Sequence, residues 1–100
     1  MIHLQSTIFV RPGKMPTMLD IIRNRLVPIL QDRAGWKLLG CFEQRVGRLN
    51  TVIDLWELDD YNHFTRAFAA YREDPDYPAI RVLLDECVEQ ETLVFLEKRF

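Results

Sequence analysis

The sequence has few of the residues that mark secreted, membrane-spanning or metal-binding proteins. Its two cysteines, Cys41 and Cys87, are too far apart for a C-x-x-C pair. Each lies among apolar residues, where a free cysteine is usually a small buried side chain. No apolar run approaches the ~18 residues that cross a bilayer, and residues 1–5 begin a strand-like pattern without a signal-peptide core. These absences predict a reduced, cytoplasmic protein with no membrane partner, no disulfide and no metal site.

An excess of positive charge is also missing. The chain has 13 basic and 15 acidic residues, which gives a net charge of −2. Nucleic-acid-binding domains usually carry a basic patch, and the arginines near the first predicted helix are interrupted by Asp20 and Asp32. The sequence has neither a glycine-rich phosphate loop nor a serine nucleophile elbow. We therefore expect no nucleic-acid partner and no cofactor.

The first third of the chain changes from the period of a strand to that of a helix. Alternation predicts a strand over residues 2–10, and one of its faces is apolar apart from a serine: Ile2, Leu4, Ser6, Ile8 and Val10. Apolar residues at three- and four-residue spacing predict a helix from Pro16, with a kink or an end at Pro28. Gly35 closes the helical segment and lets the chain return to the sheet.

The remaining pattern completes a single domain over residues 1–100. It predicts strands over about 36–46 and 50–58 joined by a turn at 47–50, a helix capped by Asp59 or Asp60, a short helix before Cys87, and a last strand over about 88–98. This order is the ferredoxin-like α+β arrangement, a four-stranded antiparallel sheet with helices on one face. The other face is also apolar, and pairing it with a second copy would form a dimeric α+β barrel.

Several segments resemble the NIPSNAP family: Gly35–Phe42, Val46–Val52, Leu55-Trp56, Asp74-Pro75 and Arg11–Gly13. The resemblance covers nearly the whole chain and implies a dimeric α+β barrel. It implies little about chemistry, since most members have no assigned reaction. Positions that are polar in the family carry other residues here: Leu4, Ser6 and Ile8 on strand one, Asp54 in place of a histidine, and Phe64 and Ala67 on the second helix. A ligand with aromatic or aliphatic bulk fits these replacements.

Asp54 is the main candidate for a chemical role. It lies between Val52 and Trp56 on one face of a strand expected at the centre of the sheet. A carboxylate there is either desolvated, with a raised pKa, or paired with a donor, and either condition suits a general base or a ligand anchor. The alternative is an aspartate that bonds Ser6 or faces the dimer partner. As an enzyme, the protein would use Asp54 as the catalytic base and Ser6 to orient it or the substrate.

An aromatic set is predicted to bind substrate in an apolar pocket between the sheet and the second helix. Its members are Phe42, Trp56, Phe64, Phe68 and Tyr71, and His63 on the same helix joins the candidates. The alternative is that this stripe is ordinary core. His3 and His63 are the only histidines, and neither has metal-ligand spacing.

The features together predict a homodimer whose pocket binds a small hydrophobic or aromatic molecule. Dimeric α+β barrels of this size recur in natural-product pathways as oxygenases, cyclases and accessory proteins. By analogy of fold alone, the protein takes part in the biosynthesis of a hydrophobic product such as a prodiginine-type pigment, either as a cofactor-free enzyme or as an accessory protein. The alternative is a non-catalytic interaction or scaffold module whose dimer surface is the functional part.

Overall fold

The computed structural model, which describes residues 1–100, has four antiparallel strands and three α-helices. The strands are β1 (Ile2–Val10), β2 (Lys37–Glu43), β3 (Thr51–Leu58) and β4 (Val88–Leu96), and the helices are α1 (Met15–Ile21), α2 (Tyr61–Glu73) and α3 (Tyr77–Cys87). The sheet order β2-β3-β1-β4 places β1 and β3 at the centre. The fold is therefore the predicted ferredoxin-like α+β arrangement. None of its helices is long and apolar enough to span a bilayer.

The two central strands alternate as their sequences predict. Along β1 every second residue from Ile2 to Val10 is buried, and the residues between them are half-buried. On β3 the buried residues include Val52, Asp54 and Trp56. The register pairs Ser6 with Asp54 and Leu4 with Trp56, so the buried residues of both strands share the face under the helices.

The first helical segment does not end at Pro28. After α1 it continues as two π-helical stretches, Ile22–Leu26 and Pro28–Arg33. Pro28 is the first residue of the second stretch. The segment then ends at Gly35, whose φ of +83° lies in the left-handed region that favours glycine. The predicted helix end at Pro28 was therefore wrong, and the predicted role of Gly35 is confirmed.

The strand ends differ from the sequence prediction by a few residues. β2 ends at Glu43 instead of Val46, so the link to β3 spans residues 44–50 and is longer than a tight hairpin turn. Within this link Gly47 and Asn50 have φ values of +91° and +58°. The Thr51 hydroxyl donates to the carbonyl oxygen of Arg48 at 2.8 Å, which holds the end of the link against β3.

The core under the helices consists of two apolar clusters. One contains Ile8 and Val52 with residues of α1 and α3, and the other contains Leu4, Trp36 and Trp56. Ser6 and Asp54, which pair across the sheet, belong to neither cluster. Two polar residues at the centre of the sheet therefore separate the two apolar clusters of the core.

Candidate functional site

A cavity of about 380 Å³ opens at this interruption in the core. Ser6 and Asp54 are on its sheet side, and the lining consists of 20 residues, 13 of them hydrophobic. Its aromatic lining comprises Trp36, Trp56, Phe68 and Tyr71. Exposed side chains of α3 and β4 also line it: Arg81, Asp85, Glu89, Gln90, Glu91 and Leu93. The cavity is therefore mostly apolar inside, as small-molecule sites usually are, and its exposed lining is charged.

Asp54 is the buried carboxylate of this cavity. Only 6% of the residue is exposed, and burial raises its pKa to about 6. The negative charge of Glu91 adds to the shift, while the Trp56 indole and the Cys41 thiol favour the ionised form and oppose it. Asp54 lies under the helices and not on the open face of the sheet.

Ser6 does not hydrogen-bond Asp54, although the register places the two residues opposite each other. Its hydroxyl donates to Oε2 of Glu91 on the other neighbouring strand, at 3.1 Å. The expected Ser6–Asp54 bond is therefore absent, and Ser6 instead connects the inside of the cavity to its opening. A hydroxyl accepts and donates at once, so its acceptor side remains available to a ligand.

Cys41 is the side-chain neighbour of the Asp54 carboxyl on β2. Its Sγ lies 3.9 Å from Oδ1 of Asp54, the distance of a weak thiol donor. Burial, and then the Asp54 charge, raise the pKa of the Cys41 thiol to about 11, so it is protonated near neutral pH and a poor nucleophile. Cys87 is buried as predicted. Cys41 as a whole residue is exposed, because β2 is an edge strand, and only its thiol is partly covered.

The structure brings five of the eight predicted site residues to the cavity: Ser6, Asp54, Trp56, Phe68 and Tyr71. It does not bring Phe42, which is 57% exposed and pairs with Ile53 on the opposite face of the sheet. Phe64 also lies outside the cavity, because its ring stacks on Trp36 at a centroid distance of 5.8 Å and meets Phe95.

His63 is the third predicted residue that lies outside the cavity. Its Nδ1 accepts the backbone N–H of Asp59 at 3.1 Å, so the proton is on Nε2, which donates to the Ala34 carbonyl oxygen at 2.6 Å. The backbone N–H of His63 also donates to the Asp60 carboxylate, the predicted N-cap of α2. With both ring nitrogens engaged, His63 joins the start of α2 to the end of the first helical segment.

Trp36 is the main lining residue that sequence reasoning missed. It follows Gly35 directly, is 2% exposed, and its indole N–H donates to the His63 carbonyl oxygen at 3.3 Å. Its ring lies edge-on to Trp56 at 5.5 Å and 6.0 Å from Phe68. The available signal was an aromatic residue directly after a helix-ending glycine, where the chain must turn back against the core.

The acidic and basic lining residues were also missed, because they are ordinary surface residues in the sequence. Glu91 reaches Ser6 from β4, and Arg81 forms a 3.0 Å ion pair with Asp85 one turn along α3. No group of three or more histidine, cysteine or acidic side chains has the spacing of a metal site.

Comparisons with known proteins agree in family and fold. The NIPSNAP family model matches residues 7–97. The chain is 28% identical to an uncharacterized NIPSNAP domain protein from Burkholderia xenovorans (98% of this chain and 94% of that chain covered, TM-score 0.84). It is 24% identical to a NIPSNAP family protein from Agrobacterium tumefaciens (99% and 94% covered, TM-score 0.87).

A similar fold also occurs in a protein of much lower sequence identity. A proposed antibiotic biosynthesis monooxygenase from Nitrosomonas europaea is 10% identical over 100% of both chains, with a TM-score of 0.68. At this identity the likeness concerns the fold alone. Among curated proteins, none matches the chain.

Proposed function

Because the chain belongs to the NIPSNAP family, whose members share this fold, we propose that it is a homodimeric protein whose cavity binds a small, largely apolar, ring-bearing molecule. The observation that carries the proposal is the cavity itself, which has four aromatic rings in its lining and one buried carboxylate on its sheet side. A core that served stability alone would not place Ser6 and Asp54 between two apolar clusters, since a buried charge is costly. Polar groups that reduce stability at the centre of a cavity are typical of a functional site.

Asp54 is the proposed catalytic base if the bound molecule is also transformed. With a pKa of about 6 it is ionised at neutral pH, yet it is more basic than an exposed aspartate. Ser6 has a different role from the one expected, because it holds Glu91 at the opening and can offer its oxygen to a ligand. Proton abstraction by a carboxylate needs no cofactor. No cavity residue singles out a prodiginine pigment, so the proposal names only the ligand's chemical class.

The ligand proposal is tested by thermal denaturation with 2-isopropenylnaphthalene, an apolar two-ring probe. A ligand at a hundredfold excess over its Kd stabilises the native state by about 2.7 kcal/mol. Phe68→Ala should abolish most of this gain, because Phe68 lines the cavity. Phe64→Ala is the matched control, since it removes the same ring one turn earlier on α2, outside the cavity, and should keep the gain.

Each result of that experiment has one meaning. If the probe does not stabilise the parent protein, the scaffold alternative replaces the binding proposal. If both alanine variants lose the gain equally, the probe is not in this cavity. Phe68 is only half-buried, so its alanine variant should cost less than the ~3–5 kcal/mol of a fully buried phenylalanine.

The proposed dimer is supported by the open face of the sheet. No helix covers this face, and apolar side chains from all four strands share it: Phe9, Phe42, Ile53, Leu55, Val94 and Leu96. Val94 and Leu96 are 42% and 41% exposed. A second copy presents the same apolar surface, and a two-fold interface of identical patches would bury both.

Sedimentation equilibrium is expected to give twice the 11.9 kDa chain mass at micromolar concentration. Ile53→Asp places a charge at the centre of the open face and should yield a folded monomer, because a buried unpaired carboxylate is costly. Val82→Asp is the control, since Val82 is 59% exposed on α3, away from that face. A parent protein that sediments as a monomer would refute the dimer, whatever the variants do.

A further inference from the structure

Tyr71 presents an unused hydrogen-bond donor at the cavity. The residue is 7% exposed and lines the cavity, and its hydroxyl is buried with no hydrogen-bond partner. Burial raises the pKa of Tyr71, so the hydroxyl keeps its proton at neutral pH. Buried hydroxyls are nearly always bonded, because an unpaired one costs free energy. A donor left unpaired beside a cavity indicates that its acceptor comes from a ligand.

Arg81 adds a second donor beside this hydroxyl. It lines the same cavity as Tyr71, and its positive charge lowers the pKa of Tyr71 against the effect of burial. The Arg81 side chain is 47% exposed and pairs with Asp85 on the surface of α3, and its guanidinium keeps donors for another oxygen. A guanidinium has no acceptor, and it cannot satisfy the Tyr71 proton.

The net charge of the lining decides which kind of oxygen fits. Four carboxylates, those of Asp54, Asp85, Glu89 and Glu91, share the cavity with the single guanidinium of Arg81. Arg48, outside the lining, pairs with Glu89 at 3.7 Å, and the remaining carboxylates still outnumber Arg81. A ligand carboxylate would be repelled by this excess of negative charge. A neutral carbonyl oxygen accepts hydrogen bonds as well and carries no net charge. The Tyr71 and Arg81 donors and the acidic lining therefore both favour a neutral carbonyl oxygen as the acceptor.

We propose that Tyr71 and Arg81 form a carbonyl-binding end of the cavity, so that the ligand is an uncharged, ring-bearing ketone, aldehyde or quinone. This inference rests on the proposed function, because it names the substrate class of the same cavity. The inference specifies the polar group of the ligand, which the aromatic lining alone does not indicate. Tyr71 donates to the carbonyl oxygen, and Arg81 moves to donate beside it.

The test compares ligands that differ in one group. In 2-acetonaphthone a carbonyl oxygen takes the place of the terminal CH₂ of 2-isopropenylnaphthalene, and 2-naphthoate carries a carboxylate on the same rings. Isothermal titration of the parent protein should give the ketone about tenfold higher affinity than the hydrocarbon, the effect of one or two hydrogen bonds. Naphthoate should bind about tenfold more weakly than the ketone, because of the acidic lining.

Tyr71→Phe should lower the ketone-to-hydrocarbon affinity ratio several-fold, because only the Arg81 donor remains, and leave hydrocarbon binding within about twofold. The variant is expected to fold, because it removes only an unpartnered hydroxyl. Tyr77→Phe is the matched control: its ring lies edge-on to Tyr71 at 4.8 Å, but Tyr77 does not line the cavity. Its affinity ratio should equal that of the parent.

The outcomes separate the two proposals. If the hydrocarbon and the ketone bind equally to the parent, or if Tyr71→Phe keeps the preference, the carbonyl end is refuted while the binding cavity stands. If naphthoate binds more tightly than the ketone, the end binds anions and the proposed substrate class is wrong. If none of the three compounds binds, the proposed function itself fails, and the carbonyl end fails with it.

Discussion

Asp54→Asn is expected to be more stable than the parent protein at pH 8, by about 3 kcal/mol, and to converge with it below pH 4. The pKa of Asp54 is raised from 3.8 to about 6 in the folded chain, so the folded state keeps the proton that the unfolded state has already lost. Stability from this residue is therefore complete below pH 4, falls as the pH rises to about 6, and is lost above that. Asparagine keeps the shape of the side chain and removes the cost of burying the ionised carboxylate. This cost is about 1.4 kcal/mol for each unit by which folding raises the pKa.

Denaturant unfolding of both proteins from pH 4 to pH 8, at one protein concentration, measures this difference. Asp32→Asn provides the control, because it makes the same chemical change at an exposed position. A variant that is less stable than the parent at pH 8 would mean that the Asp54 carboxylate accepts a structural hydrogen bond. A more stable variant with lost ligand turnover would identify Asp54 as a residue kept for function at the expense of stability.

Trp36→Ala is expected to lower the free energy of unfolding by about 3–5 kcal/mol, the largest loss among the substitutions considered. The indole is 2% exposed and contacts Trp56, Phe64 and Phe68. Its removal would also leave the His63 carbonyl oxygen without its indole donor. A loss of this size is a large fraction of the stability of a small domain.

Urea unfolding followed by circular dichroism measures the effect. Trp36→Phe retains an aromatic ring and should recover more than half of the loss, while the missing N–H limits the recovery. Leu39→Ala serves as the surface control, because Leu39 is 42% exposed on β2. A Trp36→Ala loss below about 1 kcal/mol would show that Trp36 is a removable part of the cavity wall and not the link between α2 and the sheet.

The fold was predictable because its signals are local. Period-two alternation from Ile2 to Val10 determined both the strand and its buried face, and the same rule placed Asp54 on a buried face of a central strand. The helix end expected at Pro28 was wrong because the segment continues past this residue in π-helical form. A π-helical restart at that residue cannot be recognised from apolar spacing of three and four.

The candidate site was predictable only for residues whose position follows from the alternation of a single strand. The position of Asp54 follows from its own strand, but the bond from Ser6 to Glu91 depends on which of two neighbouring strands offers the nearer acceptor. Trp36, Arg81 and Glu91 reach the cavity through packing of elements distant in sequence. His63 was predicted as a site residue because the sequence does not reveal that two backbone groups hydrogen-bond its ring nitrogens.

The order of the strands also has a consequence for how the chain folds. β1 pairs with β3 on one side and with β4 on the other, and His3 lies opposite Leu96. Such contacts bring together the two most distant parts of the sequence, and the loop-closure entropy must be overcome before they form. During synthesis one edge of β1 stays unpaired until β4 has left the ribosome. The sheet therefore completes its pairing only after β4 is made, and such non-local pairing slows folding.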